Sequence, residues 1–184
     1  MIGRMRTILP FDMNPALREI SKDVLEDDIR GPHIRELISD MKALLGKEQY
    51  GVALAAVQVG EPLKLFIVSG RALARDSRNA PDEEEKGDEA PALPDQIYIN
   101  PSLMKMSRGK KEKHEGCLSI RGYWGMVPRA DKATITALDE NGIKFTRGAS
   151  GFLAHVFQHE MDHLEGILYT DKATEMNEEE PERA

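Results

Sequence analysis

The stretch Gln-His-Glu-Met-Asp-His-Leu-Glu-Gly, residues 158–166, constrains this chain more than any other. His159 and His163 are four positions apart, so a helix sets both on one face, one turn from each other. They can then share one metal ion, with Glu160 beside it. Phe152, His155 and Val156 fall near the same stripe. A buried stripe with this many polar groups is costly unless they are satisfied, and a metal satisfies both imidazoles at once. The competing reading is a histidine-rich exposed face. His155 lies eight positions before His163, about 12 Å along a helix, which is too far to share the ion. It reads as a pocket wall one turn up.

The remaining chain supplies elements to enclose such a helix. Its 184 residues suit a single domain, 1–184, and 40% apolar content is enough for a core. From Pro32 to Leu45, Ile34, Leu37, Ile38, Met41, Leu44 and Leu45 recur at helical spacing. Pro32 suits the first turn and Gly46 the stop. GVALAAVQVG (51–60) is small and apolar, and LKLFIVS (63–69) reads as a buried strand. IYINPSL (97–103) reads as a strand entering a turn at Asn100-Pro101. DKATITALDENGIKFTRG (131–148) reads as a hairpin with a two-residue Asn141-Gly142 turn. Ser150 suits the cap of the histidine helix, and Gly166 lies just past its end. Residues 75–95 are acidic and Pro-rich, as expected of an exposed mobile loop, and the polar tail 174–184 reads as frayed. The fold class is α+β: antiparallel strands packed around a central histidine helix, with an N-terminal amphipathic helix.

Two histidines do not complete a catalytic metal site. KHEGCLSIRGYW (113–124) holds the only cysteine, Cys117, next to Gly116 and Glu115. A thiolate is a strong ligand for zinc or ferrous iron. Cys117, His159 and His163 together would give three protein ligands and one open position, as in catalytic rather than closed structural sites. A lone cysteine is otherwise most often a small buried hydrophobe. With one cysteine, no intrachain disulfide forms. The net charge of −7 argues against a nucleic-acid binder. No apolar run reaches membrane-spanning length, and the N-terminus lacks a secretory core. The expected location is cytoplasmic.

Three motifs in order, GVALAAVQ (51–58), EGCLS (115–119) and QHEMDHLEG (158–166), resemble those of the peptide deformylase family. Val127-Pro128-Arg129 also resembles the family, and the likeness runs from the first helix to Tyr169. The resemblance implies a hydrolase that removes the formyl group from the formyl-methionine of nascent peptides, releasing formate. It implies Cys117, His159 and His163 as ligands of one divalent ion. That ion is ferrous iron in the cell, with zinc, nickel or cobalt possible in isolated protein. It implies Glu160 as general acid/base, and the Gln58 amide and Leu118 N–H as donors to the developing oxyanion. The peptide would pair with backbone near Val52, Ala53 and Gly116, its methionine side chain near Val52, Val156 and His155. Glu115 could orient a ligand, and Arg129 could pair with Asp162 or form an ordinary surface ion pair. Tyr123 and Trp124 read as core packing.

Three positions depart from the family pattern: Ala53 for a glycine, Arg121 for a proline, and His155 for an apolar residue. They bear on substrate preference more than on the reaction. The basic C-terminal helix with which bacterial members dock on the ribosome has no counterpart in the acidic NEEEPERA, so ribosome contact by that route is not expected. No direct nucleic-acid or membrane partner is expected. The rival readings are another His-Glu-x-x-His metallohydrolase and a non-catalytic protein that binds peptide termini.

Overall fold

Leu65, Phe66, Ile67 and Val68 are all fully buried, which a strand achieves only when both faces of its sheet are covered. The computed structural model describes residues 6–77 and 93–178. Strand β2 (Leu65–Val68) lies inside a five-stranded antiparallel sheet ordered β1-β2-β3-β6-β7. Its other members are β1 (Ala53–Ala55), β3 (Gln96–Met106), β6 (Lys132–Leu138) and β7 (Lys144–Ser150). Helix α1 (Pro32–Lys47) covers one face. There Ile34, Leu37, Ile38, Met41 and Leu45 pack with Leu54, Leu65, Ile67, Ile97 and Ile99.

Helix α3 (Gly151–Leu164) covers the other face. Leu153, Val156 and Phe157 join Ala53, Ala55, Phe66, Val68, Tyr98, Ile135 and Ala137 there. The alternation along β1 and β2 thus assigns odd and even residues to different helices. A second sheet, β4 (Lys110–Cys117), β5 (Ile120–Ala130) and β8 (Glu175–Glu178), closes over α3, with Val127 in the same cluster. No described helix is long and apolar enough to cross a membrane.

Several expected features take another form. Helix α1 runs one residue past Gly46. Asn100-Pro101 is a bulge within β3, which continues to Met106 after a register shift between Ile99 and Ser102. Asn100 takes φ 48°, and its side chain accepts from Val24 N and donates to Val24 O, both at 2.8 Å. Pro101, with no N–H to offer a ladder, suits such a position.

The 131–148 hairpin closes with a three-residue loop. Asp139 N donates to Ile143 O at 3.0 Å, and Asp139 Oδ1 accepts from the N–H groups of Asn141 and Ile143. Gly142 takes the left-handed position (φ 77°) that this loop requires. Ser150 precedes α3 but makes no side-chain cap. It is the exposed last residue of β7, and Gly151 N donates to Asp131 O instead.

Residues 75–77 belong to helix α2 (Gly70–Ser77), held by the buried Ala72, Leu73 and Ala74. The remainder of the expected acidic loop, 78–92, lies outside the described residues. Residues 175–178 form β8 where a frayed tail was expected. Gly125 allows this, because a Cβ there would stand 2.8 Å from Met176 Sδ. Residues 179–184 lie outside the described set.

Candidate metal centre

Three elements converge on one point. Helix α3 presents His159 and His163, β4 ends at Cys117, and the single turn Ala56–Val59 after β1 presents Gln58. Cys117 Sγ lies 3.3 Å from His163 Nε2, and one donor atom each from Cys117, His159 and His163 fall within 4.8 Å of one another. An ion bound at about 2.3 Å to sulfur and 2.0 Å to nitrogen spaces tetrahedral ligands by about 3.5 Å, so the donor set fits a transition metal.

The charge states fit as well. Burial pushes the Cys117 thiol up, but His163 and His159 hold it well below the ordinary thiol range, which favours the thiolate, the form able to bind a metal. Burial pushes His159 down, but Cys117 and Glu115 hold it well above its usual range. Positive charge is therefore favoured at the place where a cation would sit.

One of the candidate ligands is itself oriented. His159 Nδ1 is 3.0 Å from Glu115 Oε2, which leaves Nε2 for the centre. Arg129 grips Glu115 through Nε and one terminal nitrogen, at 2.7 and 2.8 Å, and its other nitrogen reaches Asp162 at 2.5 Å. Arg129 is 3% exposed, so this is a buried network and not a surface ion pair. Lys172 adds a second cation to Asp162 at 2.6 Å.

Gln58 is buried and fixed from three sides. Its Oε1 accepts from Ala55 N at 2.8 Å, while Nε2 faces Ser119 Oγ at 3.3 Å and Cys117 Sγ at 3.4 Å. Its amide thus lies between Ser119 and Cys117, beside the centre. Leu118 follows Cys117 in the tight turn between β4 and β5. Glu160 is buried with Oε2 unpartnered among the described residues. Burial pushes its carboxyl up; His159 and His163 oppose this, and Cys117 adds to it.

The expected peptide-contact residues lie on two edge strands. Val52 and Ala53 are at β1, the edge of the larger sheet, and Gly116 is at β4, the edge of the smaller one. The Ala53 methyl packs in the core on the α3 side. Val156 and His155 are buried on α3. Arg121 is the second residue of the extended β5 and pairs with Glu48 through two bonds.

Sequence reasoning missed Ser119, which steadies Gln58, and Tyr169. The latter ring stacks at 6.2 Å from His159, and its hydroxyl donates to Tyr123 O at 3.0 Å. Burial, with Cys117 and Glu115 nearby, pushes the Tyr169 phenol up to about 12, so it stays a donor. Tyr123 is 45% exposed rather than in the core, and Trp124 packs on His114 at 4.4 Å.

Residues 5–179 match the family model described as polypeptide deformylase. The chain is 36% identical to a peptide deformylase of Leptospira biflexa, over 86% of this chain and 83% of that one. Its structure is similar to that of a Legionella pneumophila peptide deformylase (TM-score 0.74, 32% identity), covering 93% of this chain and 87% of that one. It is similar too to a Met-Ala-Ser-bound class I type b peptide deformylase of Acinetobacter baumannii (TM-score 0.76, 26% identity), covering 93% and 99%.

Proposed function

The chain belongs to the polypeptide deformylase family, and from that premise we propose how its own residues carry the removal of the N-formyl group from the formyl-methionine of newly made polypeptides. Cys117, His159 and His163 would hold the divalent ion, ferrous iron in the cell, with zinc, nickel or cobalt able to replace it in isolated protein. When bound, such an ion would supply Lewis acidity, which lowers the pKa of water toward neutral.

Glu160 takes the proton of the attacking water and passes a proton to the departing amine, giving formate and a free N-terminus. The Gln58 amide and the Leu118 N–H donate to the oxygen that gains charge. Each such donor is worth about 100- to 1,000-fold in rate when it is in place beforehand. Gln58 suits that condition, since its carbonyl is committed to Ala55 N, while Ser119 Oγ and Cys117 Sγ hold its amide beside the centre.

Edge strands β1 and β4 receive the extended peptide through the backbone of Val52, Ala53 and Gly116. Val52, Val156 and His155 line the first side-chain pocket. A formyl carbon bears only hydrogen, so a narrow site admits it and rejects internal peptide bonds. Work on newly made chains places the protein in the cytoplasm.

The observation that carries this reading is the cluster of one sulfur and two imidazoles with the Gln58 amide 3.4 Å from the sulfur. The test is formate release from formyl-Met-Ala-Ser by anaerobically prepared, iron-loaded protein. Formate is the expected product. Cleavage of unformylated peptide without formate would favour a different metallohydrolase, and peptide binding without turnover a non-catalytic relative.

A further inference from the structure

Strand β4 and helix α3 run side by side in the same direction. Cys117 meets His163 at 3.3 Å, and Glu115 meets His159 at 3.0 Å. Each step back takes two residues on the strand and four on the helix. Those steps advance about 6.7 Å and 6.0 Å, so the two elements keep register. The match persists further back. Asp131 accepts Gly151 N at 2.8 Å through its carbonyl and pairs with Lys111 Nζ at 3.1 Å through its side chain, which holds Lys111 level with Gly151. The level between is occupied by Lys113 and His155. Residues 111, 113, 115 and 117 share one face of β4.

His155 is 6% exposed, and its buried Nε2 has no partner among the described residues. Burial holds this imidazole below its usual range, so at neutral pH it is neutral, and Lys113 lies within electrostatic reach of it. Among the described residues, the two carboxylates that act on His155 are engaged, Glu115 by Arg129 and His159, and Asp131 by Lys111. Among the described residues nothing pairs with His155 Nε2, and a ligand atom that reaches this level would satisfy it.

We propose that Lys113 and His155 form a polar wall of the first side-chain subsite and select N-formyl peptides whose first side chain ends in an oxygen acceptor. This rests on the deformylase reading. Formylated chains begin with methionine, whose thioether is only a weak acceptor. The oxygen-bearing form of that residue is methionine sulfoxide, which adds one acceptor atom to nearly the same shape. The subsite therefore accepts oxidised as well as intact formyl-methionine, where a wholly apolar pocket would penalise the sulfoxide.

The test compares kcat/KM of iron-loaded protein on formyl-Met-Ala-Ser, its methionine-sulfoxide form, and its norleucine analogue, which lacks any acceptor. The wild type should favour sulfoxide over norleucine. One lost hydrogen bond is worth about tenfold, so that ratio should fall tenfold or more in His155→Leu and fall also in Lys113→Met. Affinity of the deformylated sulfoxide and norleucine tripeptides, measured by calorimetry, should change in the same sense without any turnover. A wild-type preference for norleucine, or a ratio moved less than tenfold by His155→Leu in a folded protein, overturns the proposal. Should His155→Leu not fold, the ratio in Lys113→Met decides. Failure to release formate from formyl-Met-Ala-Ser removes the deformylase reading itself, and the proposal with it.

Discussion

Glu160 and Glu115 are both buried carboxyls beside His159, one next to it on the helix and one across from it on β4, yet their surroundings give them opposite character. Glu115 receives two bonds from Arg129 and one from His159, which hold its charge in place. Glu160 has an oxygen with no partner among the described residues, and burial pushes its carboxyl up. The first is set to stay ionised and to aim His159; the second suits the proton exchange proposed for it. Glu160→Gln keeps the shape and the ligands but cannot take a proton. It should retain one equivalent of iron and lose about 100- to 10,000-fold in kcat/KM. Metal analysis beside a formate assay checks this. Turnover near wild type would remove Glu160 from the proton path.

At the scale of elements, the bulge in β3 sets where that strand joins β6. Asn100 holds it with a left-handed backbone and two bonds to Val24. Asn100→Gly loses the bonds but tolerates the backbone, whereas Asn100→Ala loses both. Urea unfolding should show alanine destabilising by about 2–3 kcal/mol and glycine by about 1 kcal/mol less. Equal losses would mean that φ 48° carries no strain. The bulge was legible only as a turn, since Asn-Pro breaks a ladder without saying whether the chain reverses. Helix α1, β2 and the histidine helix were legible because their apolar spacing matches their period. The hairpin of β4 and β5 was not. Its inner face at Glu115 is buried by ion pairing, so KKEKHE has no apolar alternation to read. Strand β8 was hidden similarly, since acidic residues gain a partner only because Gly125 lets them approach. Of the site, ligands close in sequence were read from spacing. Cys117 needed the argument that a third ligand must exist. The Lys113–His155 level needed the register of strand on helix.

Across the whole molecule, the centre joins parts that also meet through apolar packing and the Arg129 network. Gln58 comes from the larger sheet, Cys117 from the smaller one, and the histidines from the helix between them. An ion bound there favours the folded chain by mass action, about 2.7 kcal/mol at a hundred times its dissociation constant. Chelation should lower the melting temperature of wild type and have little effect on Cys117→Ser, as differential scanning calorimetry would show.

With the metal removed, the Arg129 network still ties β4 and β5 to α3, and its strength depends on pH. Burial alone would raise the Glu115 carboxyl, but Arg129 and His159 lower it to about 2 from 4.5. A group with a depressed folded pKa stabilises the fold above its unfolded value and loses that contribution as pH falls through the folded one. The window is therefore pH 4.5 down to 2, and the shift corresponds to about 3 kcal/mol. Metal-free wild type should lose stability across that window more steeply than Glu115→Gln, which has no charge to titrate there. The variant should start weaker at pH 6 and converge on wild type near pH 2. Urea midpoints at intervals from pH 6 to 2 measure this, and parallel profiles would mean that Glu115 is not the carboxyl that makes the hold of the smaller sheet on α3 sensitive to acid.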